Sequence, residues 1–102
     1  MLWLMPKRSE SIPEEYAEYR QVLAHAVGAR IRTRRLDLNL SQELVRARME
    51  LENAYVSAGQ FSRIEAGESL PSIVDVIALV KVLQVSCSWL LFGDEESRKD
   101  PA

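Results

Sequence analysis

Apolar residues recur along this chain at helical spacing and nowhere alternate as a strand would. Tyr16, Tyr19, Leu23, Ala26 and Val27 stand three or four positions apart, Val22 widens the stripe, and the pattern runs on through Ile31 to Leu36. Ahead of it, Ser11 or Ile12 suits the cap and Pro13 the first helical position. Glu14 and Glu15 favour the positive end of the helix dipole. Gly28 interrupts the stripe, so this segment reads as one long helix or as two joined near residues 26–28. Asp37-Leu38-Asn39-Leu40 ends it, with Asn39 best able to turn left-handed.

Four further segments follow. Ser41 caps a helix to residue 52, with Glu43 in its first turn and a stripe of Leu44, Val45, Arg48, Met49 and Leu51. Residues 53–56 break it. Ser57 caps a short helix over 58–65, with Phe61 and Ile64 inward and Ala66-Gly67 at its end. Leu70-Pro71 is extended, because the residue before proline avoids the helical region. Ser72 and Asp75 form a capping-box pair, and Ile73, Val76, Ile77, Val80 and Leu83 define the most amphipathic helix. Ser86 caps a last short helix over 87–92, closed by Gly93. Trp89 and Leu90 join the expected core. There is no internal repeat, and the class expected is all-α.

Composition narrows this little. A chain of 102 residues fits one domain, and 47% hydrophobic against 27% charged residues argues against wholesale disorder. One cysteine, Cys87, excludes an internal disulfide and points to a reducing cytoplasm. It reads as a small buried or half-buried hydrophobe. No apolar run approaches the roughly 20 residues of a membrane span. The opening Met1-Leu2-Trp3-Leu4-Met5 is too short for a signal-peptide core, and Lys7-Arg8 follow it rather than precede it. His25 has no second ligand at metal spacing. Nor is there a Gly-rich phosphate loop or a nucleophile–base pair, so neither an enzyme nor a cofactor is expected.

Charge changes the picture more. The chain as a whole is −2, with a pI near 5.4. Residues 28–63, however, hold seven arginines (Arg30, Arg32, Arg34, Arg35, Arg46, Arg48 and Arg63) against four acids, a local +3. Such an asymmetry is what a footprint on phosphate needs. A solvated helix face rich in arginine gives the same count.

The stretches LSQELV, VSAGQFSRIEAG, LPSIVDVIALVKVLQVS and SWLLFG, in this order, resemble the phage-repressor-like (XRE-type, Cro/repressor) helix-turn-helix family over residues 28–93. The resemblance implies a five-helix repressor-like bundle, here with an extra N-terminal helix and arm. It divides the chain into an arm and extra helix (1–24), a DNA-binding domain (25–93) and a polar tail (94–102). It makes 57–65 the recognition helix, which enters the major groove. It places base-reading side chains at Ala58, Gly59 and Arg63, with Ser57 and Gln60 beside them, and a backbone-positioning amide at Gln42. Arg32 and Arg34 on the first helix are then expected on phosphate, and Arg35 is expected to pair with Glu65. The residues agree in part. Phe61 and Ile64 take one face and leave Gly59, Gln60 and Arg63 on others, and Arg and Gln have bidentate matches in guanine and adenine.

Three features depart from the family pattern. Residues 41–62 are about five longer than its usual helix-turn-helix spacing, with the excess around 49–55. Ala58 and Gly59 carry almost nothing with which to read a base. The loop after the recognition helix is Glu68-Ser69-Leu70 rather than basic. The function implied is a sequence-specific transcriptional regulator, a repressor acting as a homodimer on a short two-fold operator in double-stranded DNA. Its interface is expected in the last helix or in residues 1–24, where Leu2, Trp3, Leu4 and Met5 add to the tyrosine stripe. The alternative is an antitoxin-like or adaptor module on the same scaffold that binds a protein partner.

Overall fold

The computed structural model describes residues 13–94, which form five α-helices and no strand. Helix α1 spans Glu14–Asp37, α2 Gln42–Leu51, α3 Ala58–Glu65, α4 Ile73–Leu83 and α5 Cys87–Phe92. The first helix is continuous. Pro13 is its N-cap rather than its first residue, and Ser11 and Ile12 lie outside the described residues, as do the apolar arm and residues 95–102. The extra N-terminal helix is therefore the first half of α1, not a separate element.

Gly28 does not break α1, because its role is close approach. A Cβ there would lie 2.3 Å from the Ile64 carbonyl oxygen and 2.9 Å from that of Glu65. The backbone of α1 thus rests on the end of α3, and only glycine fits.

The helix boundaries follow local chemistry. Ser41, Ser57, Ser72 and Ser86 each sit in extended backbone and accept a hydrogen bond from the amide three residues on. Ser72 and Asp75 close a reciprocal capping box. Asn39 (φ 58°) turns the chain out of α1, and Gly67 (φ 81°) out of α3. Gln84 (φ 58°) takes the left-handed position after α4, where no glycine or asparagine announces it.

Val27, Ile31, Val45, Met49, Phe61, Ile64, Leu79, Leu83 and Leu90 make a fully buried centre, with Trp89 at its edge. Helix α4 buries only part of the stripe expected of it, Val76 and Leu83 with Val80 partly so. Val76, Ala78, Leu79, Val82 and Leu83 face inward, whereas Ile73 and Ile77 are exposed. The helix is apolar on nearly every side, so periodicity alone does not choose a face. Packing against α1, α2 and α5 makes that choice. Leu44 and Leu51 of α2 are likewise exposed. Cys87 is exposed as well, because it occupies the first turn of α5 while Trp89 and Leu90 turn inward.

Candidate nucleic-acid interface

Helices α2 and α3 are joined by residues 52–57, and the extra length of this region is accommodated here. Asn53 is left-handed (φ 69°), and Ala54 and Val56 are buried on either side of an exposed Tyr55. The Arg46 Nε donates to the Val56 carbonyl at 3.1 Å, and Lys81 of α4 pairs with Glu52 at 3.5 Å. The linker is thus fastened at both ends, and it delivers the chain to Ser57, whose Oγ accepts from the Gln60 amide at 3.1 Å.

The other end of α3 is held by Glu65, which is 8% exposed. Arg35 of α1 reaches it with two donors, Nε to Oε2 at 2.6 Å and Nη2 to Oε1 at 3.0 Å. Its Nη1 donates to the Leu40 carbonyl at 2.9 Å, so one guanidinium ties α1, the turn before α2 and α3 together. Hydrogen bonding to Glu65 raises the Arg35 pKa; burial opposes this and the charge of Glu65 adds to it. Gln42 joins the same carboxylate, Nε2 to Oε1 at 3.0 Å, while its own Oε1 accepts from Ser62 at 3.2 Å. Arg32 stands 3.9 Å from Glu65 with its side chain mostly exposed. The Gln42 amide is therefore pre-oriented at the N-terminus of α2, beside α3. Ser62, which buttresses it, lies in the stretch VSAGQFSRIEAG that carries the resemblance, but no role was expected of it.

The outer face of α3 is open. Ala58, Gly59, Ser62 and Arg63 are exposed and Gln60 is partly so. A Cβ on Gly59 would meet nothing closer than the Arg63 guanidinium at 3.6 Å. Arg63 Nη2 donates to Gln60 Oε1 at 3.0 Å, and Gln60 Nε2 to Ser69 Oγ at 3.2 Å. The two long polar side chains of α3 thus lie together on its surface, linked to the loop that follows.

Arg34 does not join them. Its Nε donates to the Leu83 carbonyl at the end of α4, at 2.9 Å. Arg30, one turn earlier, donates in the same way to the Leu90 carbonyl of α5 at 3.0 Å. Two residues round a helix is about 200°, so Arg32 and Arg34 take opposite flanks of α1, and only Arg32 lies beside α3. Among the described residues, no group of three or more His, Cys, Asp or Glu could hold a metal ion. No described helix is long and apolar enough to cross a membrane.

Comparison with known proteins agrees with this geometry. A helix-turn-helix domain family matches residues 26–87. Over 75 residues the chain is 39% identical to the HTH-type transcriptional regulator DicA of Escherichia coli (strain K12). The match takes in 74% of this chain and 52% of that protein, so the chain spans about half the length of its relative. No solved structure matches it significantly.

Proposed function

The chain belongs to the XRE-like helix-turn-helix family, and from that premise we propose that it is a DNA-binding transcriptional regulator. It acts in the cytoplasm as a homodimer on a short two-fold operator, and it represses. The observation that carries this reading is the Glu65 network. Arg35 and Gln42 lock α3 at a fixed angle to α1 and α2, while the outer face of α3 is left free of any packing partner. A rigid helix with an open polar face is what insertion into a major groove requires.

Arg63 has the reach and geometry to read guanine, with Gln60 beside it. Ala58 and Gly59 allow close backbone approach, and Ala58 suits a thymine methyl. Gln42, Arg32 and the Ser57 end of α3 serve the sugar-phosphate backbone. One such face offers few base contacts, which is why two half-sites and two copies are needed. Selection from a random duplex library tests the proposal. The expected result is enrichment of a two-fold sequence whose retention falls steeply with salt. Absence of enrichment together with salt-independent retention would overturn it.

A second reading draws on the linker. Leu51 and Tyr55 are 82% and 74% exposed and stand beside Glu50 and Glu52. An apolar pair with acidic neighbours suits a protein partner bearing apolar and basic groups, as an adaptor or antitoxin-like module would need. Co-purification of a second protein that Tyr55→Ala abolishes would favour it.

A further inference from the structure

We propose that Gln60 and Ser69 are positioning residues that aim Arg63 at a single guanine, and that Gln60 itself reads no base. The hydrogen bonds on the outer face of α3 form a chain with one direction. A guanidinium can only donate, so Arg63 Nη2, at 3.0 Å, takes Oε1 of the Gln60 amide as its acceptor. The Nε2 end of the same amide is thereby turned to Ser69, whose Oγ accepts at 3.2 Å. The loop that carries Ser69 rests on α1, since a Cβ on Gly67 would lie 2.9 Å from the His25 Cα. The chain of bonds therefore starts on the body of the domain and ends on Arg63.

The guanidinium held in this way lies over the first turn of α3. Its Nη1 stands 3.6 Å from where a Cβ on Gly59 would be, while its Nη2 is on Gln60. Helical side chains lean toward the N-terminus of their helix, and the N-terminal residues of a recognition helix are the ones that meet base edges. Here those residues are Ala58 and Gly59, whose side chains bring no donor. Arg63 fills that place from one turn further on, and the bare Gly59 leaves room for it. Gln60 engages Nη2 alone, and the donors left over can still pair bidentately with O6 and N7 of guanine.

Gln60 is not free in the same way. It is half-buried where Arg63 is exposed, and both polar ends of its amide are bonded. Swinging that amide out to an adenine would release Arg63 and Ser69 together. Arginine has many rotamers to lose on binding, so a guanidinium already held in place loses less when DNA arrives. The gain falls on the preference for one base pair and not on general affinity for phosphate.

The inference deepens the DNA-binding reading proposed above and rests on it. Binding of the full chain and its variants to the selected operator, and to each of its single base-pair changes, tests it. Arg63→Ala is expected to remove the preference at one base pair, which identifies its guanine. Gln60→Ala should weaken the preference at that same pair by about threefold to tenfold, and at no other. Ser69→Ala should weaken it less, and Ser69→Thr, which keeps the hydroxyl, should restore it. Added to Arg63→Ala, Gln60→Ala should cost nothing further, because its effect passes through Arg63. Retention on random DNA should not change with Gln60→Ala or Ser69→Ala. Loss of preference at a different base pair in Gln60→Ala, additive with Arg63→Ala, would overturn the inference and make Gln60 a reader in its own right. So would a Gln60→Ala or Ser69→Ala chain that discriminates as well as the original. Each of these results leaves the DNA-binding reading standing, whereas an original chain with no preference at any base pair refutes both.

Discussion

Glu65 is where three elements of the fold depend on one carboxylate. Glu65→Ala leaves the Arg35 guanidinium buried without its counter-charge, holding only the Leu40 carbonyl, and losing one partner of a buried pair costs roughly 3–5 kcal/mol. Chemical denaturation should show that loss, and Glu65→Gln, which keeps an acceptor for Arg35, should lose less. Because the Arg35 pKa is raised, its contribution is fully present below the unfolded value and is lost only as pH rises through the folded one. Arginine titrates far above neutrality, so Arg35 adds no pH dependence to stability between about pH 6 and 9. Arg63 should behave differently. Arg63→Ala should leave the denaturation midpoint unchanged, yet cost about 1–3 kcal/mol of affinity for the selected operator and far less for random DNA. Equal losses on both DNAs would place Arg63 among backbone contacts. At this scale sequence reasoning separates types better than partners. The resemblance pointed to Arg35 and Glu65, which do meet. Nothing in the sequence told Arg32 from Arg34, because which flank of α1 faces α3 is decided by packing and not by spacing.

The two helical glycines carry opposite predictions. Gly28 lies against the carbonyls of Ile64 and Glu65, so Gly28→Ala must push α1 off α3. Overpacking of that kind costs about 1–3 kcal/mol, and it should also weaken DNA binding by tilting α3. Gly59 has open space around it in the first turn of α3, and alanine is favoured over glycine in a helix by at most about 1 kcal/mol, less near its N-terminus. Gly59→Ala should therefore raise the melting temperature. If the α3 backbone approaches a base edge there, the same change lowers operator affinity, and a more stable protein that binds DNA as tightly as before would remove Gly59 from the interface. Element boundaries were legible from the sequence because serine caps and left-handed asparagines are local chemistry. Faces were legible only where polar residues marked them. Helix α4 has Asp75 and Lys81 alone as polar markers, and there Ile73 and Ile77 of the expected stripe are exposed while Val76 and Leu83 are buried. Gly28 was visible as an anomaly in α1, but its reason, the proximity of α3, lies thirty-six residues further along the chain.

On the scale of the whole molecule, the arginine-rich segment is a smaller phosphate footprint than its charge suggests. Arg30 and Arg34 are bound to carbonyls of α5 and α4, and Arg35 is buried against Glu65. Arg48 stands four residues before Glu52, on the side of α2 that carries the ion pair with Lys81 of α4, and so away from α3. Arg46 is likewise bound to the Val56 carbonyl, so Arg32 and Arg63 remain at the candidate interface, with exposed Glu43 and Glu50 on α2 and Glu68 in the loop after α3. Each neutralised phosphate contributes about 0.9 to the slope of log affinity against log salt. Seven arginines would give a slope near −6 per copy, whereas two give about −2 or shallower. The shallower value is expected. Arg32→Ala should reduce it by about one unit, whereas Arg34→Ala should leave it unchanged and lower stability through the lost bond to Leu83. A slope that Arg34→Ala flattens as much as Arg32→Ala would mean that Arg34 leaves the Leu83 carbonyl when DNA is bound. The first helix would then have to present both of its flanks to the duplex, a docking in which α3 could not sit squarely in the groove.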